Sequence, residues 1–172
     1  PYLPENAEGP CMFLLYQPFT VSVDLHIKPE WIIFSSARSM SDVIYELLNV
    51  LRKNYPDLES ASIHKHMMDI ENEYSSLIGF NIALPHGYSE KINESIVMVA
   101  RLTHRVLSKI NNEEVHLVFM VLSPRDNPNE HINTLSEISK FIMNEENREK
   151  LFTASSHADM VEVFFPQLRK EV

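Results

Sequence analysis

Two apolar runs in the second half of the chain, residues 95–102 (SIVMVARL) and 115–122 (VHLVFMVL), limit the fold more than any other feature. A strand that faces water on one side alternates apolar and polar residues, whereas a nearly unbroken apolar run has to be covered on both faces. The second run is almost continuous and is expected at the centre of a sheet, with Ser123-Pro124 breaking it. Cover for both faces comes from helices, and helical spacing surrounds these strands. Val43, Ile44, Leu47, Leu48 and Leu51 recur at three and four residues and predict a helix over 40–54, capped by Ser39 with Asp42 three residues on and closed by Pro56. A second helix is expected over 59–73, with Ile63, Met67, Ile70 and Tyr74 on one stripe. A third is expected over 130–143, with Ile132, Leu135, Ile138 and Ile142 inward. A short charged helix over 145–153 and a last one over 157–169, which Pro166 ends or kinks, complete the set. Residues 31–34 and 80–84, the latter ending at Pro85, read as shorter apolar runs and strands. The expected class is α/β: a mixed central β-sheet flanked by helices in three layers, α/β/α.

A length of 172 residues suits one domain with a short extension, here 31–172 behind an N-terminal leader or strand extension over 1–30. Within the leader, residues 1–10 are rich in turn formers, and the apolar stretches CMFLLY and FTVSVDL flank Gln17-Pro18, the second alternating as a strand does. Hydrophobic residues make up 44% of the chain and charged residues 23%, enough for a core and too apolar for disorder. A formal charge of −9 argues against a general nucleic-acid binder, which needs a basic footprint, and suits a partner with a basic face. Cys11 is alone, so no internal disulfide forms. It reads as a small apolar strand residue, and a reducing, cytoplasmic setting is expected. The longest apolar runs are too short to span a bilayer, so membrane insertion is not expected. No signal segment opens the chain. It starts on Pro1 rather than Met, as a piece cut from a longer protein would.

Only three glycines are present, Gly9, Gly79 and Gly87, and two of them bracket Phe80-Asn81-Ile82-Ala83-Leu84-Pro85-His86. Glycine serves where a backbone bends sharply or approaches something closely. Pro85 ends the expected strand and Gly87 frees the chain beyond it, which puts His86 on a constrained turn. On spacing alone, an imidazole facing a cleft and a strand-end histidine that merely caps a turn are equally good readings.

The stretch Gly79-Phe80-Asn81-Ile82-Ala83-Leu84-Pro85-His86-Gly87, preceded by Ser75-Ser76-Leu77-Ile78, resembles the segment around the active histidine of enzyme IIA domains of the fructose–mannitol class. These belong to the bacterial phosphoenolpyruvate-dependent sugar phosphotransferase system. A second block resembles the family's strand, proline, loop and histidine-bearing helix start: Val121-Leu122-Ser123-Pro124, a polar loop, then His131-Ile132 and Leu135. Leu151-Phe152 and Ala154 before an acidic helix also fit, and the likeness runs from about 31 to 170. The resemblance implies a phosphohistidine carrier. His86 would accept a phosphoryl group from the carrier protein HPr and pass it to an enzyme IIB domain. His131 would lie beside it and donate to the phosphoryl oxygens, with Ser76 and Gly87 bordering the phosphate. His131 at a helix start would also profit from free backbone N–H groups there. No cofactor and no metal are implied. A homodimer is a further candidate assembly. The alternative within the family is a regulatory domain, part of a sugar-operon transcription regulator or a nitrogen-type protein, in which phosphorylation of His86 is a signal. One position departs from the pattern: Ile70-Glu71 stands where an Arg-Glu pair is usual. A cation from elsewhere, Lys65, Lys91 or Arg101, is therefore expected to reach the His86 cleft.

The other histidines invite plainer readings. His64 and His66, two apart on a predicted helix, belong to a solvated face. His116 lies in an apolar strand as a packed ring with a satisfied nitrogen, and His26, His104 and His157 fall at surface or turn positions. A zinc site from His86, His131 and Glu71 is a rival reading without recognisable ligand spacing. Phosphate-loop, dinucleotide and serine-elbow motifs are absent, and the acidic loop 126–130 lacks the calcium-loop pattern.

Overall fold

The computed structural model describes residues 25–166. The leader over 1–10, Cys11, nearly all of the two apolar stretches at 11–25 and the end of the last predicted helix lie outside these residues. In chain order the elements are β1 (Ile32–Ser35), α1 (Met40–Leu51), α2 (Ser60–Tyr74), β2 (Leu77–Gly79), β3 (Ile82–Ala83), β4 (His86–Ser89), β5 (Ile96–Leu107), β6 (Glu114–Pro124), α3 (Pro128–Met143), α4 (Glu145–Thr153) and α5 (His157–Phe164).

The six strands form one mixed sheet in the order β1-β5-β6-β3-β2, with β4 also paired to β6. The nearly continuous apolar run is the central strand, as its pattern requires. β5 runs antiparallel to it, with Met98 opposite Met120. β3 and β4 lie end to end along its other side, both parallel to it, pairing Ile82 with Leu117 and His86 with Val121. β1 pairs parallel with β5, and β2 antiparallel with β3.

Strand periodicity divides the core in two. Ile96, Met98 and Ala100 of β5, with Val118, Met120 and Leu122 of β6, pack under α1 and α2. Val97 and Val99, with Leu117, Phe119 and Val121, point to the other face and pack under Ile138, Phe141 and Ile142 of α3, Leu151 of α4 and Met160 of α5. Two covered faces make the three-layer α/β/α arrangement. Among the described residues, no helix is long and apolar enough to cross a membrane.

Four local expectations are corrected. Residues 80–84 are not one strand: Phe80 and Asn81, with φ of 53° and 59°, form the two-residue turn between β2 and β3, the geometry that hairpins favour. Asn81 tolerates this backbone, and its main-chain carbonyl accepts from His116 N–H at 2.8 Å, tying the turn to β6. Along α2 the buried stripe runs Ile63, Met67, Glu71, while Tyr74 is 72% exposed. α3 starts earlier than periodicity suggests, at Pro128, because Asn127 caps it by accepting from Glu130 N–H. The helical phase that buries Ile138 and Ile142 leaves Ile132 outward, 62% exposed, and His131 inward, 6% exposed. Finally, α5 ends at Phe164, two residues before Pro166, since the residue ahead of a proline avoids helical geometry.

Phe119 is fully buried between the rings of Phe141 and Phe164, at centroid distances of 6.5 and 6.2 Å. Phe119→Ala should lower unfolding stability by about 3–5 kcal/mol. The measurement is a urea titration in which the midpoint falls while the slope stays constant.

Candidate functional site

The site begins at the break between β3 and β4. Pro85 has no N–H, so the strand along β6 is interrupted there; its carbonyl still accepts from Val121 N–H at 3.0 Å. His86 therefore opens β4 rather than ending a strand. Side chains alternate along β4, so His86 and Tyr88 share one face while Gly87 and Ser89 share the other. Gly87 does not relieve a turn: its φ is not positive, and a Cβ there would lie 3.2 Å from the Met67 methyl carbon. Its glycine is needed for the close approach of α2.

On the opposite side of β4, the first turn of α3 brings His131 to the His86 ring. The two centroids are 5.3 Å apart, with the planes inclined at 46°. Tyr88 packs on His131 at 4.8 Å. His86 is half-buried, so its ring reaches solvent, whereas His131 is enclosed.

The hydrogen bonds assign the protons. His86 Nδ1 lies 3.0 Å from the carbonyl oxygen of Leu84. A carbonyl only accepts, so Nδ1 carries the proton and Nε2 carries the lone pair. His131 Nδ1 lies 2.8 Å from Ser123 Oγ, which leaves its Nε2 as the other polar edge of the ring. Burial, and then the neighbouring charge of His86, hold the His131 imidazole below its ordinary pKa of 6.5, so it is neutral at pH 7. An imidazole whose Nδ1 is committed to a carbonyl, beside a second, enclosed imidazole, is an arrangement suited to an anionic electrophile. A phosphoryl group is the natural case.

A family model described as "Phosphoenolpyruvate-dependent sugar phosphotransferase system, EIIA 2" matches residues 25–165. The chain belongs to this EIIA family. A fructose-specific EIIA component of Haloferax volcanii is 29% identical over 98 residues, which is 56% of this chain and 64% of that protein. The chain thus spans a little under two thirds of that relative. A nitrogen regulatory protein of Klebsiella oxytoca is 28% identical over 120 residues, covering 69% of this chain and 74% of the other. The fold is shared with the enzyme IIA of mannitol from Escherichia coli in its complex with phosphorylated enzyme IIB of mannitol. That match has a TM-score of 0.66 and 20% identity, and it covers 81% of this chain and 99% of the other.

The remaining site residues of this EIIA domain are placed as follows. Ser76 is enclosed behind the β3–β4 break: its N–H donates to Glu71 Oε2 at 3.0 Å, its carbonyl accepts from Leu84 N–H at 2.8 Å, and its hydroxyl has no partner among the described residues. Glu71, the third ligand of the zinc reading, has one oxygen on this main-chain donor, and no group of three metal-ligating side chains occurs among the described residues. Ile70 is half-buried on α2. None of the three cations expected at the cleft is held there by a described contact. Lys65 pairs with Asp69 at 2.7 Å on the exposed side of α2. The Arg101 guanidinium, midway along β5, donates to the carbonyl of Phe152. Lys91 lies in the β4–β5 turn, where its N–H donates to Ser89 Oγ. Arg125 lines a cavity of about 150 Å³ together with Tyr88, His66, Ser62 and Ile63.

The earlier helix start also changes the electrostatics of α3. Pro128 has no N–H and that of Glu130 is taken by Asn127, so His131 sits in the fourth helical position behind a largely satisfied terminus. Of the other histidines, His64 is not simply solvated; its Nε2 donates to the Ser41 carbonyl at 2.9 Å and ties α2 to α1. His116 has its expected satisfied nitrogen, on Glu114 Oε2 at 3.1 Å, but is half-exposed rather than packed. Sequence reasoning passed over Tyr88, Ser123 and Arg125. For Tyr88 a signal existed, since the residue two after His86 on a strand must share its face.

The unfolded chain binds a proton on residue 131 more readily than the native one does. Stability from this group is therefore complete above about pH 6.5 and is lost as pH falls below it. Thermal midpoints measured from pH 7.5 down to 5 should decline in the wild type and decline less steeply in His131→Gln.

Proposed function

We propose that this domain is a phosphohistidine carrier that takes a phosphoryl group from phospho-HPr on His86 and hands it to an enzyme IIB domain. The observation that carries this reading is the pair of rings 5.3 Å apart, one with its Nδ1 committed to Leu84 and the other enclosed beside it. In this reading the His86 Nε2 lone pair attacks the phosphorus of the donor phosphohistidine in line. The new N–P bond forms as the donor's N–P bond breaks, and the donor imidazole leaves with the electron pair. His131 donates from Nε2 to a phosphoryl oxygen, the kind of fixed donor that stabilises the charge of a transferring group. Ser76 and Gly87 support this ring only through the backbone, Ser76 by accepting from Leu84 N–H and Gly87 as the next residue of β4, its α-carbon facing Met67. Discharge to an enzyme IIB reverses the same step. The mannitol enzyme IIA of similar fold, bound to its phosphorylated enzyme IIB, supports this choice of partner.

The likeness to a nitrogen regulatory protein, together with Ile70 in place of the family arginine, favours a second reading in which the phosphorylated state is itself the signal. The two readings part at the discharge step.

With labelled phosphoenolpyruvate, enzyme I and HPr, the chain should gain an acid-labile label that His86→Ala abolishes. In His131→Ala, labelling should slow by about 10²-fold. Absence of label on the wild type would overturn both readings. Label that a cognate enzyme IIB cannot remove would favour the regulatory one.

A further inference from the structure

The Nδ1 of His131 is held by a chain of buried hydroxyls. Ser123, near the end of β6, is fully buried, with Oγ 2.8 Å from His131 Nδ1. Ser95, just ahead of β5 and also buried, donates its hydroxyl to Ser123 Oγ at 2.9 Å. Ser95 is itself fixed from two sides. Its N–H donates to the carboxylate of Glu130, the residue before His131, and its carbonyl accepts from His26 Nδ1 at 3.2 Å. Two hydroxyls enclosed among apolar side chains cost free energy unless both are hydrogen-bonded, so their directions are set by this chain.

A hydroxyl has one proton. Since Ser95 gives its proton to Ser123 Oγ, the proton of Ser123 is left for the next acceptor, His131 Nδ1. The neutral ring then has its only proton on Nε2. We propose that Ser123, oriented by Ser95, is a positioning residue that locks His131 in the Nε2–H tautomer, so that the ring meets the phosphoryl group on His86 with a donor. The opposite tautomer would set a lone pair against anionic oxygens and repel them. The role rests on the phosphoryl-carrier reading for its purpose, but the lock is a property of the protein without any phosphoryl group.

Histidine 15N labelling of the full chain and a long-range 1H–15N spectrum at pH 7.5 read the tautomer of residue 131. The wild type should carry the proton on Nε2. Ser123→Ala should give a mixture of tautomers and slow phosphoryl acceptance from phospho-HPr by about tenfold, while Ser123→Thr, which keeps the hydroxyl, should recover both. Ser95→Ala should fall between, because Ser123 then keeps its bond to His131 but loses its direction. A His131 proton on Nδ1 in the wild type, or a tautomer that Ser123→Ala leaves unchanged, would overturn the lock. The wild-type spectrum needs no variant to fold and no phosphoryl donor. It therefore decides the lock even where His86 fails to label, a failure that would overturn the carrier reading instead.

Discussion

The bond between His86 Nδ1 and the Leu84 carbonyl is the constraint on which the site depends. That carbonyl is free to accept because Pro85 interrupts the strand between β3 and β4 and the chain resumes its pairing with β6 only at His86. Leu84 is in turn held by the carbonyl of Ser76, whose N–H rests on the buried carboxylate of Glu71 on α2. A helix, a hairpin and a strand break thus combine to fix one proton on one imidazole. Loss of that bond would free the ring to exchange tautomers, and the nucleophilic nitrogen would no longer be defined.

The two rings divide the work by their burial. In the proposed carrier reading the acceptor has to be reached by another protein, and the half-exposure of His86 fits that. The donor to phosphoryl oxygens in that reading acts best where water is excluded, and His131 is enclosed by Tyr88, Ser123 and the first turn of α3. Burial, and then the neighbouring charge of His86, hold the His131 imidazole below its ordinary pKa, so this ring is neutral at pH 7. In a neutral ring only one nitrogen can donate. That makes the serine chain behind it as relevant to the site as the histidines in front.

Sheet layers and helices were readable from periodicity because residues 95–102 and 115–122 leave no face polar enough to meet water. The pair His86 and His131 was readable from two motif blocks, and the fold brings the blocks together. What stayed hidden depends on local events that no hydrophobic pattern encodes. Asn127 caps α3 earlier than the pattern suggests, and the helical phase that buries Ile138 and Ile142 buries His131 on the same stripe and leaves Ile132 outward. Phe80 and Asn81 became a turn, although Phe80 reads as a strand residue, because both adopt positive φ. Glu71 replaced Tyr74 on the buried stripe of α2, since a main-chain N–H was there to meet its carboxylate. Arg101, expected at the cleft, is committed instead to the Phe152 carbonyl.

The position of the phosphoryl group on the ring tests this account most directly. After phosphorylation by HPr, 1H–15N correlation spectra of the histidine side chains distinguish a phosphate on Nε2 from one on Nδ1. The account requires Nε2 of His86, with the proton still on Nδ1 and shared with the Leu84 carbonyl. A phosphate on Nδ1 of His86, or on any other histidine of the chain, would contradict it.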